Sequence, residues 1–269
     1  MSEGTSERVS VTIIDGVADV RLTRADKRNA LDRAMFRAII GAGEQVAADR
    51  SVRAVIISGA GKAFCAGLDT SMFAAMAAPS AEGRGEPDAA VGSIRVDAVR
   101  AVRIWTELAP PVIAAVHGVA LGGGFQLALG ADIRIVAPDA QLGVFEIRWG
   151  IVPDMGGTQL LPPLVGPDVA KDLMFTGRVV TGAEARELGL ATRLADDPRA
   201  AALELAAEIA GRNPDAIKVM KRLVDRSWGT SLDDGLRAEQ EMTEGMIGTA
   251  NQLEAVVANL EQRPGKFAD

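Results

Sequence analysis

The chain has 269 residues, 48% apolar and 24% charged, which suits one large α/β domain or two small ones with a full core. Its formal charge of −7 and lack of a basic face exclude a typical nucleic-acid binder, although a few local Lys and Arg residues can still hold an anionic ligand. One cysteine (Cys65) and one histidine (His117) exclude an internal disulfide and a His-rich zinc site.

Residues 1–8 are polar and lack the apolar core of a secretory signal, and no apolar run is long enough to span a bilayer, so a cytoplasmic enzyme is expected. Residues 9–14 and 17–22 alternate apolar and polar side chains around Asp15-Gly16, the pattern of a β-hairpin. Residues 31–48 have helical spacing, with Asn29 or Asp32 available as cap. The apolar run 54–57 reads as a buried strand leading into Gly59-Ala60-Gly61-Lys62 and Phe64-Cys65-Ala66-Gly67-Leu68-Asp69. The Met-bearing segment 68–76 reads as a helix that supplies core, with some residues lining a pocket.

Residues 77–92, rich in Ala, Gly, Pro and charge, read as a mobile loop inside the domain and a candidate lid. A strand at 112–116 follows, then His117-Gly118, Leu121-Gly122-Gly123-Gly124 and an apolar helix to Leu129. Further strands are expected at 131–137 and within 141–149. Strands alternating with helices predict a mostly parallel, helix-covered sheet over residues 1–196. From Asp197 the periodicity is helical only, which marks 197–269 as a helical cover or subunit-packing region.

Two glycine-rich turns, each directly after an apolar strand, expose N–H groups where a helix begins. Such places attract anions. Glycine after a strand is more often simple turn geometry, but two such turns together can aim two N–H groups at one oxygen. A Walker loop needs Gly-Lys-Ser/Thr, which 121–126 lacks, and the three glycines have the wrong spacing for a dinucleotide fingerprint.

The segments Lys62-Ala63-Phe64-Cys65-Ala66-Gly67-Leu68-Asp69, Val116-His117-Gly118-Val119-Ala120-Leu121-Gly122-Gly123-Gly124 and Gly156-Gly157-Thr158-Gln159 resemble signatures of the enoyl-CoA hydratase/isomerase (crotonase) superfamily. Lys27-Arg28-Asn29-Ala30-Leu31 resembles that family's CoA-side loop, and the likeness runs from about Val9 to Phe267. It implies a spiral of repeated ββα units with a helical C-terminal region that builds trimers or dimers of trimers. It also implies an acyl-CoA thioester substrate, with the N–H groups of Leu68 and Gly123 as an oxyanion hole.

In the family's hydratases two glutamates grip the attacking water. The resemblance puts Gln126 at the first position and Glu146 at the second. A Gln can orient water but cannot exchange a proton at neutral pH, which argues against efficient two-carboxylate hydration. Asp154 falls where the family's dienoyl-CoA isomerases carry a catalytic Asp, eight residues after Glu146. That pair suits moving a proton from one end of a conjugated system to the other.

The plainer readings are that Glu146 pairs with Arg148 or Arg134, that Asp154 is a turn or cap residue, and that Gln126 is a polar group on a pocket wall. His117 and Cys65 read as structural. Lys27, Arg28, Lys62 and Ala66 are candidates for meeting CoA, with Lys266 and Phe267 completing that site from an adjacent subunit. Double-bond isomerisation of an unsaturated acyl-CoA is thus the leading expectation. Enoyl-CoA hydration and non-catalytic acyl-CoA binding are the alternatives, and no metal or redox cofactor is implied.

Overall fold

Alternation of the first two apolar runs produces strands β2 (Val9–Ile14) and β3 (Val17–Leu22), paired antiparallel. The turn between them puts Asp15 at φ 49° and Gly16 at φ 78°, the doubly left-handed geometry that matches strand twist. A short β1 (Glu3–Thr5) extends the edge beside β2. The computed structural model describes residues 3–5, 8–72 and 89–269, with side chains described at 8–72 and 96–269.

Helix α1 (Arg33–Ala48) begins at Asp32, whose Oδ1 accepts the Met35 N–H at 2.7 Å. Asn29 is not the cap. It sits in the left-handed region at φ 57° and its side chain is used elsewhere. Strand β4 (Ala54–Gly59) is buried along its whole length because both its faces are covered. Val55 and Ile57 face one core, and Ala54 and Ile56 face the other.

Helix α2 (Ala89–Thr106) corrects the loop expected at 77–92: its last four residues are the first turn of this helix, and 77–88 lie outside the described residues. Ala98, Ala101, Val102 and Trp105 recur at helical spacing on its buried face, so packing outweighs the local Ala-Gly composition. Of the helix expected at 68–76, the first turn is present at 70–72, Leu68 and Met72 pack on the core, and 73–76 lie outside the described residues.

The next unit runs β5 (Val112–Val116), β6 (Val119–Leu121) and α3 (Gly123–Leu129). It is followed by β7 (Ile133–Val136) and β8 (Gln141–Gly143). The strand expected across 141–149 ends early, since Glu146–Trp149 is a 3-10 turn closed by Gly150 at φ 68°. Short helices α4 (Gly157–Leu160), α5 (Pro162–Val165), α6 (Pro167–Thr176) and α7 (Gly182–Glu187) carry the chain past β9 (Val180–Thr181) to β10 (Arg193–Leu194).

Two sheets result: seven strands in the order β1-β2-β3-β4-β5-β7-β10, parallel from β3 onward, and three strands in the order β6-β8-β9. The β5-β6 and β7-β8 pairs each give one strand to each sheet, whereas β2 and β3 both join the large sheet and the β4 unit reaches the small one only through the Cys65–Ala120 bridge, a variation on the expected spiral of ββα units.

The C-terminal helices are α8 (Pro198–Ala210), α9 (Pro214–Ser227), α10 (Leu232–Met246) and α11 (Ala250–Leu260). Helix α8 lies on the second face of the large sheet, where Ala202, Leu205 and Ala206 cover Ile56, Ile113 and Ile135. Each of those isoleucines contributes roughly 1.5–3 kcal/mol through burial. Helix α9 is anchored by Lys221, which bonds Asp132 Oδ2 at 2.8 Å and the Pro110 carbonyl at 3.2 Å. Beyond that anchor Val224, Trp228, Leu232 and Leu236 are exposed. No helix among the described residues is long and apolar enough to cross a membrane.

Candidate active site

The two glycine turns meet over a backbone ladder. Cys65 N–H donates to the Val119 carbonyl at 3.0 Å, and Leu121 N–H donates to the Cys65 carbonyl at 3.1 Å. This bridge aligns the turn after Cys65 with the turn after Leu121. Contact is close enough that Gly124 has no room for a side chain, since a Cβ there would lie 2.3 Å from the Cys65 oxygen. Gly67 is required twice over: its φ is +90°, and a Cβ would meet the Leu121 oxygen at 2.5 Å.

That same Cβ position lies 3.7 Å from the Gly123 nitrogen, so the Leu68 turn and the Gly123 helix start face one small space. A bridge between Leu31 and Leu68 uses the Gly67 carbonyl and the Asp69 N–H, which leaves the Leu68 N–H outside it. Gly123 opens α3, so its N–H has no acceptor within the helix. Neither N–H has a backbone acceptor among the described residues, and two such donors can hold an oxygen that gains negative charge.

Glu146 stands beside them. Its Oε1 would lie 3.4 Å from a Cβ on Gly122, and the residue is 6% exposed. Oε1 accepts the Gln126 side-chain N–H at 2.6 Å, while Oε2 is buried and accepts no hydrogen bond from a described residue. Burial pushes the Glu146 carboxyl above its ordinary value and the nearby Asp154 charge adds to the push, while its own backbone N–H, the Gln126 bond and the Phe145 backbone N–H oppose it. Neither Arg148 nor Arg134 is its partner. Arg148 stacks on Phe145 and bonds the Gly177 carbonyl at 2.8 Å, while Arg134 bonds the Leu190 and Ala131 carbonyls.

Gln126 is fully buried, and its Oε1 accepts the N–H groups of Met155 at 3.0 Å and Gly157 at 2.9 Å. It is therefore bound into the turn that carries Asp154. Asp154 itself is exposed, and its charge is one of the causes that raise Glu146.

Around the rim, residues 27–31 run alongside 60–69. Ala66 N–H donates to the Arg28 carbonyl at 2.9 Å, and Lys27, Arg28 and Lys62 are all exposed beside it. Lys266 and Phe267 lie elsewhere in the chain. Arg53, at the start of β4, bonds the Phe267 carbonyl at 2.7 Å, whereas Lys62 follows the end of β4. A six-residue strand separates the two ends by about 20 Å, so within one chain Lys266 and Phe267 lie away from this rim.

Cys65 donates its thiol to the Asn29 carbonyl at 3.1 Å, and burial pushes its pKa up to about 12, leaving no nucleophile at neutral pH. His117 Nε2 meets the Gly61 carbonyl at 3.0 Å and braces that loop. Two residues of the scaffold have no clear sequence signal. Asn29 Nδ2 donates to the carbonyls of Ala60, Ala63 and Phe64, with only its tolerance of the left-handed region as a hint. Arg24 bonds Asp69 Oδ2 at 2.6 Å and the Ala30 carbonyl at 3.0 Å, tying both loops together. Hydrogen bonds from Ser71, aided by Arg24, hold the Asp69 carboxyl at about 2.

Comparison with known proteins gives one answer. Residues 12–269 match the family model described as Enoyl-CoA hydratase/isomerase. The mouse protein named Enoyl-CoA hydratase domain-containing protein 2, mitochondrial, is 36% identical over 260 residues, covering 94% of this chain and 84% of the relative. Human Methylglutaconyl-CoA hydratase, mitochondrial, is 34% identical over 260 residues, covering 94% of this chain and 74% of the relative. The crystal structure of enoyl-CoA hydratase from Bacillus anthracis superposes with a TM-score of 0.88 at 33% identity, covering 97% of this chain and 98% of that one.

Proposed function

Because this chain belongs to the enoyl-CoA hydratase/isomerase family, we propose that it shifts a double bond in an unsaturated acyl-CoA thioester. The observation that carries this reading is the buried, unbonded Oε2 of Glu146 beside the two unengaged N–H groups of Leu68 and Gly123. The N–H pair holds the thioester oxygen. Glu146 Oε2 takes a proton from the carbon next to the carbonyl, and the electron pair moves onto that oxygen as an enolate. Protonation further along the conjugated system returns a proton to carbon, so the product is an isomer. One donor of such a pair is worth about 10²–10³ in rate.

Isomerisation is preferred to hydration because the Gln126 oxygen is already taken by two backbone N–H groups, which leaves a single buried carboxylate to manage water. For a 3,5-dienoyl chain Asp154, once it has taken up a proton from solvent in the substrate complex, is the group to return that proton at the far end. Hydration is the second reading, favoured by the hydratase names of the relatives.

The phosphates of CoA are assigned to Lys27, Arg28 and Lys62, with Ala66 beside the thioester. In a homotrimer or dimer of trimers a neighbouring copy adds Lys266 and Phe267, and exposed Trp228, Leu232 and Leu236 provide an apolar face for that assembly.

A paired absorbance assay with a 2-enoyl-CoA and a 3,5-dienoyl-CoA tests the proposal. Growth of conjugated-diene absorbance without loss of the enoyl band is the expected result. Loss of the enoyl band by water addition, with no diene conversion, establishes hydration instead.

A further inference from the structure

Gln126 stands where the protein has placed an amide against the one buried carboxylate among the described residues. Its orientation is fixed by its partners. The carbonyl faces two backbone donors, Met155 and Gly157, and the NH2 faces a carboxylate oxygen. Turning the amide over sets donors against donors and an acceptor against an acceptor. Both lone-pair directions of the oxygen are used, so Gln126 has no acceptor left for water or substrate.

Resting on the assignment of Glu146 as the base, we propose that Gln126 is a positioning residue: it binds one Glu146 oxygen so that the other, Oε2, alone transfers the proton. A carboxylate held at neither oxygen can turn about its last side-chain bond and present either one. The 2.6 Å bond at Oε1 removes that freedom. It also couples Glu146 to the Met155–Gly157 turn, so the base and the segment bearing Asp154 move as a unit.

The electrostatic surroundings are simple enough to read in a pH profile. Helix α3, which carries Gln126, has no charged residue. From the turn after Glu146, Arg148 is directed to the Gly177 carbonyl. On α6, packed against that turn, Asp168, Lys171 and Asp172 are exposed, and Asp172 bonds Arg178. Asp154 is the charge whose effect reaches Glu146. The Gln126 bond favours the ionised base, so losing it must delay ionisation as pH rises.

The test uses Gln126→Met and Gln126→Glu, with Glu146→Gln as the control on the underlying assignment. Isomerase kcat and KM are measured from pH 5 to 10, together with the Kd of a saturated acyl-CoA. In Gln126→Met, kcat is expected to fall about tenfold or more, saturated acyl-CoA affinity to stay within about twofold, and the acidic limb of kcat/KM to move up by about one pH unit.

Met leaves two backbone N–H groups without an acceptor and can unsettle the fold. The glutamate variant avoids this because its oxygen accepts them. Its second oxygen shares a proton with Glu146 Oε1 and so replaces the lost bond while that proton is held. Activity close to the parent's on the acid side, with a new alkaline limb where the shared proton leaves, is the expected result. Limbs that coincide with the parent's in both variants overturn the positioning role, whatever happens to kcat. Full activity in Glu146→Gln overturns the base assignment itself, and the proposal with it.

Discussion

Replacing Gly67 by Ala puts the oxyanion arrangement to its sharpest test. The new Cβ lies 2.5 Å from the Leu121 oxygen, and ordinary contact begins near 3.4 Å, so one turn must retreat by about 0.9 Å (3.4 − 2.5). The left-handed φ of +90° adds about 1–2 kcal/mol of backbone cost in any non-glycine residue. At roughly 2–4 °C per kcal/mol for a chain of this size, the backbone term alone lowers Tm by about 2–8 °C. The functional loss is expected to be larger than that suggests. A misplacement near 1 Å costs about 10²-fold in rate, and loss of one oxyanion donor costs about 10²–10³-fold. The assay is kcat/KM on the reacting thioester beside a thermal melt. A variant that melts lower as expected yet keeps kcat/KM within about threefold refutes the idea that these two turns bind a developing oxyanion.

Glu146→Gln is expected to abolish turnover while leaving acyl-CoA binding near normal, measured by calorimetry, and retained turnover removes Glu146 from the chemistry. Stability carries an independent signature of the same residue. Because the folded carboxyl sits above its ordinary 4.5, the native state holds this proton longer than the unfolded chain, and stability falls as pH rises from about 4.5 through the raised value. The Gln variant lacks that loss, so its Tm relative to the parent is expected to be higher at pH 7 than at pH 4. Asn29→Ala strips three carbonyls, two of them buried, of a shared donor and should cost about 1–3 kcal/mol, read in urea melts. Lys221→Met leaves Asp132 without its ion-pair partner. With Asp132 partly exposed, a loss of about 1–3 kcal/mol is expected in the same melts.

The backbone of the site was legible because it rests on local rules. A strand, a glycine turn and a helix start can be read from neighbouring residues, and the Leu68 and Gly123 turns do face one another. The hairpin at Asp15-Gly16 and the helical block after Asp197 were readable for the same reason. What escaped depends on distant partners. Gln126 read as a group able to orient water but not to exchange a proton, whereas its oxygen is spent on N–H groups 29 and 31 residues away. A strand was expected within residues 141–149. The chain leaves the small sheet after Gly143, and that departure turns Glu146 inward. Lys266 and Phe267 stand near the C-terminus of a chain whose tail folds onto Arg53, a contact with no periodic trace.

The bridge between Cys65 and the Val119–Leu121 strand is made wholly of peptide groups. Mutation cannot delete a peptide N–H except by installing proline, so the spacing of the two turns is insulated from most side-chain drift. Exchanging the side chains of Ala66, Leu68 or Ala120 therefore removes none of the peptide hydrogen bonds that set this spacing. Glu146 and Gln126 meet through side chains alone and have no such insulation. Divergence among chains of this architecture should therefore alter where the proton goes long before it alters how the carbonyl is held.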